Sequence, residues 1–134
     1  MDLEWCGPIS DDEMVALVES HGGKAVAGWW DGIRPHSLGW VSARDEQGRL
    51  VGFVNVAWDG GDHAFLIDTK TRGDRQHEGI ATAVVTLAVQ EAKAAGCEWL
   101  HVDFEDDLEP FYFGACGFRP TKAGLIHLPG VAPR

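Results

Sequence analysis

The stretch Gln76-His77-Glu78-Gly79-Ile80-Ala81 stands between a strand-like run, HAFLIDTKT, and a long apolar run, ATAVVTLAVQEAKAAG. A glycine at such a corner leaves bare backbone where a helix begins, and unpaired N–H groups there, with the positive end of the helix dipole, attract anions. Gly79 alone has a plainer explanation, tight packing of strand against helix. Two familiar phosphate readers are excluded by what is missing: the third glycine of a dinucleotide fingerprint, and any G-x-x-x-x-G-K-[ST] loop. Lys70, Arg72 and Arg75 lie just upstream in an otherwise acidic chain and could face a polyanion, although Asp74 and Glu78 offset part of their charge.

A second group lies in EWLHVDFE, where Leu100, Val102 and Phe104 alternate with Trp99, His101, Asp103 and Glu105. Alternation of this kind marks a strand with two unlike faces. Three ionisable groups on one face of an internal strand are costly unless that face lines a wet cleft. His63 and Asp68 on the preceding strand are weaker candidates, because lone histidines are more often structural.

The elements that hold these residues follow from local signals. Ser10-Asp11-Asp12-Glu13 is a capping box, so a helix begins near Asp11, buries Met14, Leu17 and Val18, and stops at Gly22-Gly23. GKAVAGWWDGIRPHS has no clear period and reads as a loop with a short helix. LGWVSAR and RLVGFVNVAW are strands joined by the turn Asp45-Glu46-Gln47-Gly48, and Asp59-Gly60-Gly61-Asp62 leads into HAFLIDTKT, giving an antiparallel meander. The helix after Gly79 is mostly apolar, with a polar stripe at Thr82, Thr86, Gln90 and Lys93, and must be covered on most sides. Gly96 ends it, and strand, helix, strand makes a βαβ unit with parallel strands. PFYFGACG reads as a short helix and FRPTKAGLIHL as a final extended or hairpin segment. Trp40 and Trp58 are expected in the core.

The chain of 134 residues, 45% apolar, is long enough for one domain spanning 1–134 with its own core. A net charge of −10 argues against nucleic acid and anionic membranes and admits a cationic ligand. Cys6, Cys97 and Cys116 are odd in number and lack metal-ligand spacing, so reduced, non-catalytic thiols are expected and no metal site. With neither a signal-peptide start nor an apolar run near 20 residues, the expectation is a soluble, cytoplasmic protein.

Gln76-His77-Glu78-Gly79-Ile80-Ala81 fits the pattern [QR]-x-x-G-x-[GA] of the GNAT superfamily, the acetyl-coenzyme A dependent N-acetyltransferases, and FYFGACGF resembles that family's short helix ending in Gly-Phe. In their order, with the elements around them, the two motifs extend the resemblance over nearly the whole chain. It implies an α/β fold: a mixed central sheet with antiparallel N-terminal strands and a C-terminal βαβ unit, flanked by helices. It implies acetyl-coenzyme A as cofactor, its pyrophosphate on the backbone of Gln76, His77, Glu78, Gly79, Ile80, Ala81 and Thr82, and its pantetheine arm beside Thr69, Lys70 and Thr71.

The activity implied is direct acetyl transfer to a primary amine, for which a small cationic molecule is the expected acceptor. Asp103 and Glu105 are the expected bases. Tyr112 is the expected acid. The loop around Trp29, Trp30, Arg34 and His36 is expected to wall the acceptor site, with Trp29 and Trp30 as contacts, since family members use the region after the first helix to choose the acceptor. His101 joins them from the strand face it shares with Asp103 and Glu105. Two departures stand out. Glu105-Asp106-Asp107 stands where many members carry an Asn that touches pantetheine, and Tyr112 lies five residues before Gly117 where the family's Tyr lies four before, a place taken here by Phe113. One residue on an α-helix is a turn of about 100°. Other readings are a protein lysine or N-terminal acetyltransferase, or a catalytically weak acyl-coenzyme A binding module. The sequence leaves room for a homodimer.

Overall fold

The structure, a computed structural model, describes residues 1–133. The chain forms two compact units, Met1–Val102 and Asp103–Arg134.

The first unit is built on a five-stranded sheet in the order β1 (Asp2–Trp5), β2 (Ser37–Arg44), β3 (Leu50–Trp58), β4 (His63–Thr71) and β5 (Trp99–His101). Neighbours are antiparallel except β4 and β5, which run parallel as the crossover requires. The meander and the βαβ unit match the sequence expectation. β1 does not: DLEW carries no strand pattern, and it is held by its register on β2, from Asp2 opposite Arg44 to Trp5 opposite Val41.

Two layers cover the sheet. On one face α1 (Asp11–Ser20) and α2 (Trp29–Ile33) enclose Ile9, Met14, Leu17, Trp30, Leu50 and Phe53. On the other lies α3 (Ile80–Ala94), whose Ile80, Val84, Val85, Ala88 and Ala92 are buried. Gly52 admits this contact, because a Cβ there would stand 2.4 Å from Ile80 Cγ2. Trp30, fully buried, sits edge-on to Trp40 and Phe53 with centroids 5.0 Å away in both pairs. Trp40 packs against this core and donates from Nε1 to the Gly7 carbonyl at 2.8 Å. Trp58 departs from expectation: at the end of β3 it has run past the covering helices and is exposed.

α1 begins at the expected capping box. Glu13 N donates to Ser10 Oγ at 3.1 Å and Ser10 N donates to Glu13 Oε1 at 3.0 Å. The same Glu13 carboxylate pairs with Arg44 of β2, so one side chain both starts the helix and fixes it to the sheet.

The second unit departs from the expected pattern twice. The strand foreseen over 98–105 ends at His101, and Asp103 and Glu105 lie beyond it. Phe104 is the physical reason: its ring stacks on Tyr112 at 4.6 Å and meets Phe113 edge-on at 5.0 Å, so this segment packs on the following turn instead of extending a ladder. That turn, Pro110–Ala115, is π-wound. The segment 118–127 forms no strand, and its Leu125 and Ile126 are exposed. A run without alternating burial gains nothing from a ladder it has no partner to form.

The Arg44 guanidinium, followed by the amide and hydroxyl of Ser10, lowers the Glu13 pKa against the effect of burial. A depressed carboxylate pKa adds stability above its unfolded value, near 4.3, and loses it as pH falls through the folded value. Glu13→Gln keeps the capping bond, which Gln makes as Glu does, but removes the charge paired with Arg44 and should therefore cost about 1 kcal/mol at pH 7. Urea denaturation should show the gap to wild type closing below about pH 4.

Candidate active site

Gln76 to Gly79 are exposed and open the way into α3. His77 and Gly79 both have left-handed backbones, at φ 67° and 83°, which turn the chain sharply from the exposed loop into the buried Ile80 that starts α3. No side chain caps that helix start, so its orphan amides are available to an anion. A Cβ built on Gly79 meets no atom within 4 Å, which removes tight strand-helix packing as the reason for the glycine. What the position needs is the left-handed backbone and the open space before it.

The loop ahead of it is firmly anchored. A Cβ on Gly73 would lie 2.0 Å from the Ser20 carbonyl, and Gly73 N donates to Ser20 Oγ at 3.1 Å, tying the loop to the end of α1. Arg75 pairs with Glu78 at 2.9 Å and reaches Asp45 in the β2–β3 turn at 3.5 Å. Asp45 is nearly buried and its pKa is lowered, first by the Arg49 amide and then by the Gln47 amide and the Arg49 side chain. Arg72 pairs with Asp74 at 2.9 Å, and Lys70 lies over the Trp29 ring at 5.3 Å. The three cations do not converge as the sequence suggested. The corner offers backbone amides, with its arginines holding the loop in shape.

β4 supplies the second feature. Opposite β3, Phe53 pairs with Lys70 and Asn55 with Ile67, so Asp68 and Thr69 together face the single residue Val54. Asp68 takes a left-handed backbone at φ 59° to make this bulge. β5 pairs only with His63, Ala64 and Phe65, and β4 runs on past it through Thr69, Lys70 and Thr71. A β4 segment without β5 beside it suits an extended ligand arm added along the strand.

His63 and His101 meet across β4 and β5, with His63 Nδ1 2.8 Å from His101 Nε2, and His101 stacks on Phe65 at 4.7 Å. At that distance one ring nitrogen donates and the other accepts. The sequence ranked His63 low because nothing in it reveals the register that brings the rings together. Trp29 is half-buried and lines an open cavity near Asp68 and Lys70, whereas Trp30 has no exposed surface and supports the wall from behind. That corrects Trp30 as an acceptor contact: its ring is enclosed by Trp40 and Phe53.

In the second unit the turn holding Tyr112 explains the displaced tyrosine. Cys116 N donates to the Phe111 carbonyl at 2.9 Å, an i→i+5 bond that takes up one more residue than an α-turn. Five residues from Tyr112 to Gly117 thus cover what four cover in an α-helix. Tyr112 is buried among Phe104, Phe111 and Phe118, and Phe113 lies nearer the surface. Asp103 and Glu105 are exposed. Burial pushes the Cys116 thiol up, away from nucleophilic use. Among the described residues no group of three or more His, Cys, Asp or Glu converges on a metal position, and no helix is long and apolar enough to cross a membrane.

The model of the acetyltransferase (GNAT) family matches residues 5–118. The chain belongs to the GNAT family. No curated protein is similar enough in sequence to count as a relative. Among solved structures, a GNAT-family acetyltransferase from Streptococcus pneumoniae is 18% identical with a TM-score of 0.75, covering 93% of this chain and 95% of its own. A Trypanosoma brucei acetyltransferase is 19% identical with a TM-score of 0.73, over 93% and 98% of the two chains. Glucosamine-6-phosphate N-acetyltransferase from Arabidopsis thaliana is 14% identical with a TM-score of 0.71, over 94% and 97%. At these identities the likeness is one of fold, and GNAT membership makes the chain an acetyltransferase by family. The family's usual cofactor, acetyl-coenzyme A, fits what the corner offers: an uncapped helix start, an open space at Gly79 and a β4 edge that outruns β5.

Gly79→Asp tests that fit, because Asp tolerates a left-handed backbone while placing a carboxylate where a phosphate would lie. Thermal melts should show acetyl-coenzyme A raising the Tm of the wild type and leaving that of the folded variant unmoved. A variant stabilised as strongly as the wild type would remove the phosphate site from this corner.

Proposed function

We propose that residues 1–134 work as a single cytoplasmic N-acetyltransferase domain that moves the acetyl group of acetyl-coenzyme A to a primary amine on a small molecule. The observation that carries the reading is the pairing of an uncapped α3 start with a β4 that continues past β5. One binds a phosphate and the other an extended arm.

Bound acetyl-coenzyme A supplies an activated acetyl thioester. In the chain's own share of the reaction, backbone amides of Gln76 to Thr82 hold the anionic end, and Thr69, Lys70 and Thr71 flank the arm. Transfer would put the amine nitrogen in place of the sulfur on the acetyl carbon, so one proton would have to leave the amine and one reach the departing sulfur, and this chain's residues would handle both. Tyr112 is the donor to sulfur. Its support is the π-wound turn, which makes up the one-residue offset before Gly117. Asp103 and Glu105 are acceptors for the amine proton by their exposure and charge.

A second reading of the base rests on the 2.8 Å contact of His63 with His101, since a hydrogen-bonded imidazole pair accepts a proton on one ring and passes it through the other. Open acceptor access would favour a protein lysine or N-terminus instead of a small amine, and loss of turnover with retained binding would leave a regulatory acyl-coenzyme A module.

Rates of thiol release with a panel of amines test these assignments. Tyr112→Phe should lower kcat by about 10-fold or more with little change in acetyl-coenzyme A binding, as when a general acid is removed. Asp103→Asn and Glu105→Gln should each slow transfer by roughly 100-fold if they serve as base, with activity recovering at high pH as the amine deprotonates unaided. Wild-type rates in both, beside a loss in His101→Gln, would move the base to the histidine pair.

A further inference from the structure

The open cavity near Trp29 lies wholly within Met1–Val102 and measures about 290 Å³. α1 and the loop after it contribute an apolar wall that includes Val18, Val26 and Trp29, and three charged side chains, Lys24, Asp68 and Lys70, complete the lining. Two cations against one anion give this cavity a charge of opposite sign to the chain as a whole, whose net charge is −10. That composition argues against the small cationic acceptor expected from overall charge.

The three charges are also spare. Arg34, Arg44, Arg49, Arg72 and Arg75 are all in ion pairs, whereas Lys24, Asp68 and Lys70 form none among the described residues. Lys70 has only the Trp29 ring beneath its ammonium, a weaker partner than a carboxylate. Asp68 holds its place through a left-handed backbone within a strand, a conformation uncommon outside glycine that persists where the surroundings impose it. Unpaired charges of both signs beside an apolar wall form a set of complementary contacts for one kind of molecule.

We propose that this cavity binds the acceptor, and that the acceptor is an amine carrying an apolar body and an anionic group, of the amino-acid class. The proposal rests on the acetyltransferase reading above and names its substrate. The anionic group is taken by Lys24 and Lys70, the amine end by Asp68, and the apolar body by Val18, Val26 and Trp29. Diamines and polyamines meet two ammonium groups and are disfavoured.

L-leucine and L-phenylalanine, their amides, and cadaverine serve as probes, in two measurements on the whole chain: thiol release at fixed acetyl-coenzyme A, and equilibrium dialysis of radiolabelled L-leucine. Free amino acids should exceed the amides and cadaverine in kcat/KM by about 10-fold or more, the size of one charge-assisted hydrogen bond. Lys24→Gln, at an exposed position that folding does not need, should collapse the ratio of leucine to leucinamide through KM, and Lys93→Gln on α3 should preserve it. Preference for cadaverine or the amides, or a Lys24→Gln ratio equal to wild type, overturns the proposal. Leucine that binds and is lost in Lys24→Gln, with no turnover of any amine, upholds the cavity and removes the transferase reading. Leucine that neither binds nor reacts removes the cavity's assignment, whatever other amine is acetylated.

Discussion

β4 has to satisfy two neighbours of opposite direction, and the way it does so organises the first unit. Against β3 it needs a full antiparallel ladder, which it keeps from Ala64 to Thr71 by inserting one extra residue at Asp68. Against β5 it pairs for only three residues. A bulge increases local twist and bends the strand that carries it. Past Phe65 the strand continues to Thr71 without β5 alongside it. A strand edge that outruns its neighbour is where another extended chain can add, and the arm of the proposed cofactor would be such a chain.

The anion corner shows a similar division of labour. Arginines near a helix start suggest phosphate contacts, yet Arg72 and Arg75 are paired with Asp74, Glu78 and Asp45. Their work is to hold the loop 72–79 in a shape that includes two left-handed residues, His77 and Gly79. Helix amides carry only partial charge, so their orientation decides whether they act together. Rigid fixing by Gly73 against Ser20 and by Arg75 against Asp45 supplies that orientation. Affinity placed on backbone would also leave the side chain of Gln76 free to vary, whereas Glu78 is held to its pair with Arg75.

Elements with strong local signals were legible in the sequence: the Ser10–Glu13 capping box, the glycine stops, the alternating strands of the meander and the long apolar α3. β1 was not, since DLEW is specified by its pairing with β2 and by nothing local. The overlong last strand failed for a related reason, because alternation of Val102, Asp103, Phe104 and Glu105 is equally satisfied by an extended segment whose Phe104 stacks on Tyr112. At the site, the resemblance to the GNAT family pointed to the residues around Gly79 and Tyr112. The bulge at Asp68, the meeting of His63 with His101, and the gathering of Lys24 with Asp68 and Lys70 depend on register across strands and loops, which local sequence does not encode.

Net charge is a property of the whole chain, and a site need not share its sign. A surplus of acids describes the long-range field, which salt screens within about 8 Å under physiological conditions. Recognition inside a cavity is set by the few charges that line it and by whether protein partners already satisfy them. Here the arginines are largely consumed in holding loops and helices, and the cavity beside the β4 bulge keeps two lysines and one aspartate without ion-pair partners among the described residues. The acidic field still has a consequence for a polyanionic cofactor, which it opposes at a distance. At the phosphate site proposed for the α3 start, short-range amides would have to outweigh it at contact, and that requirement favours a loop fixed before the ligand arrives over one ordered by it.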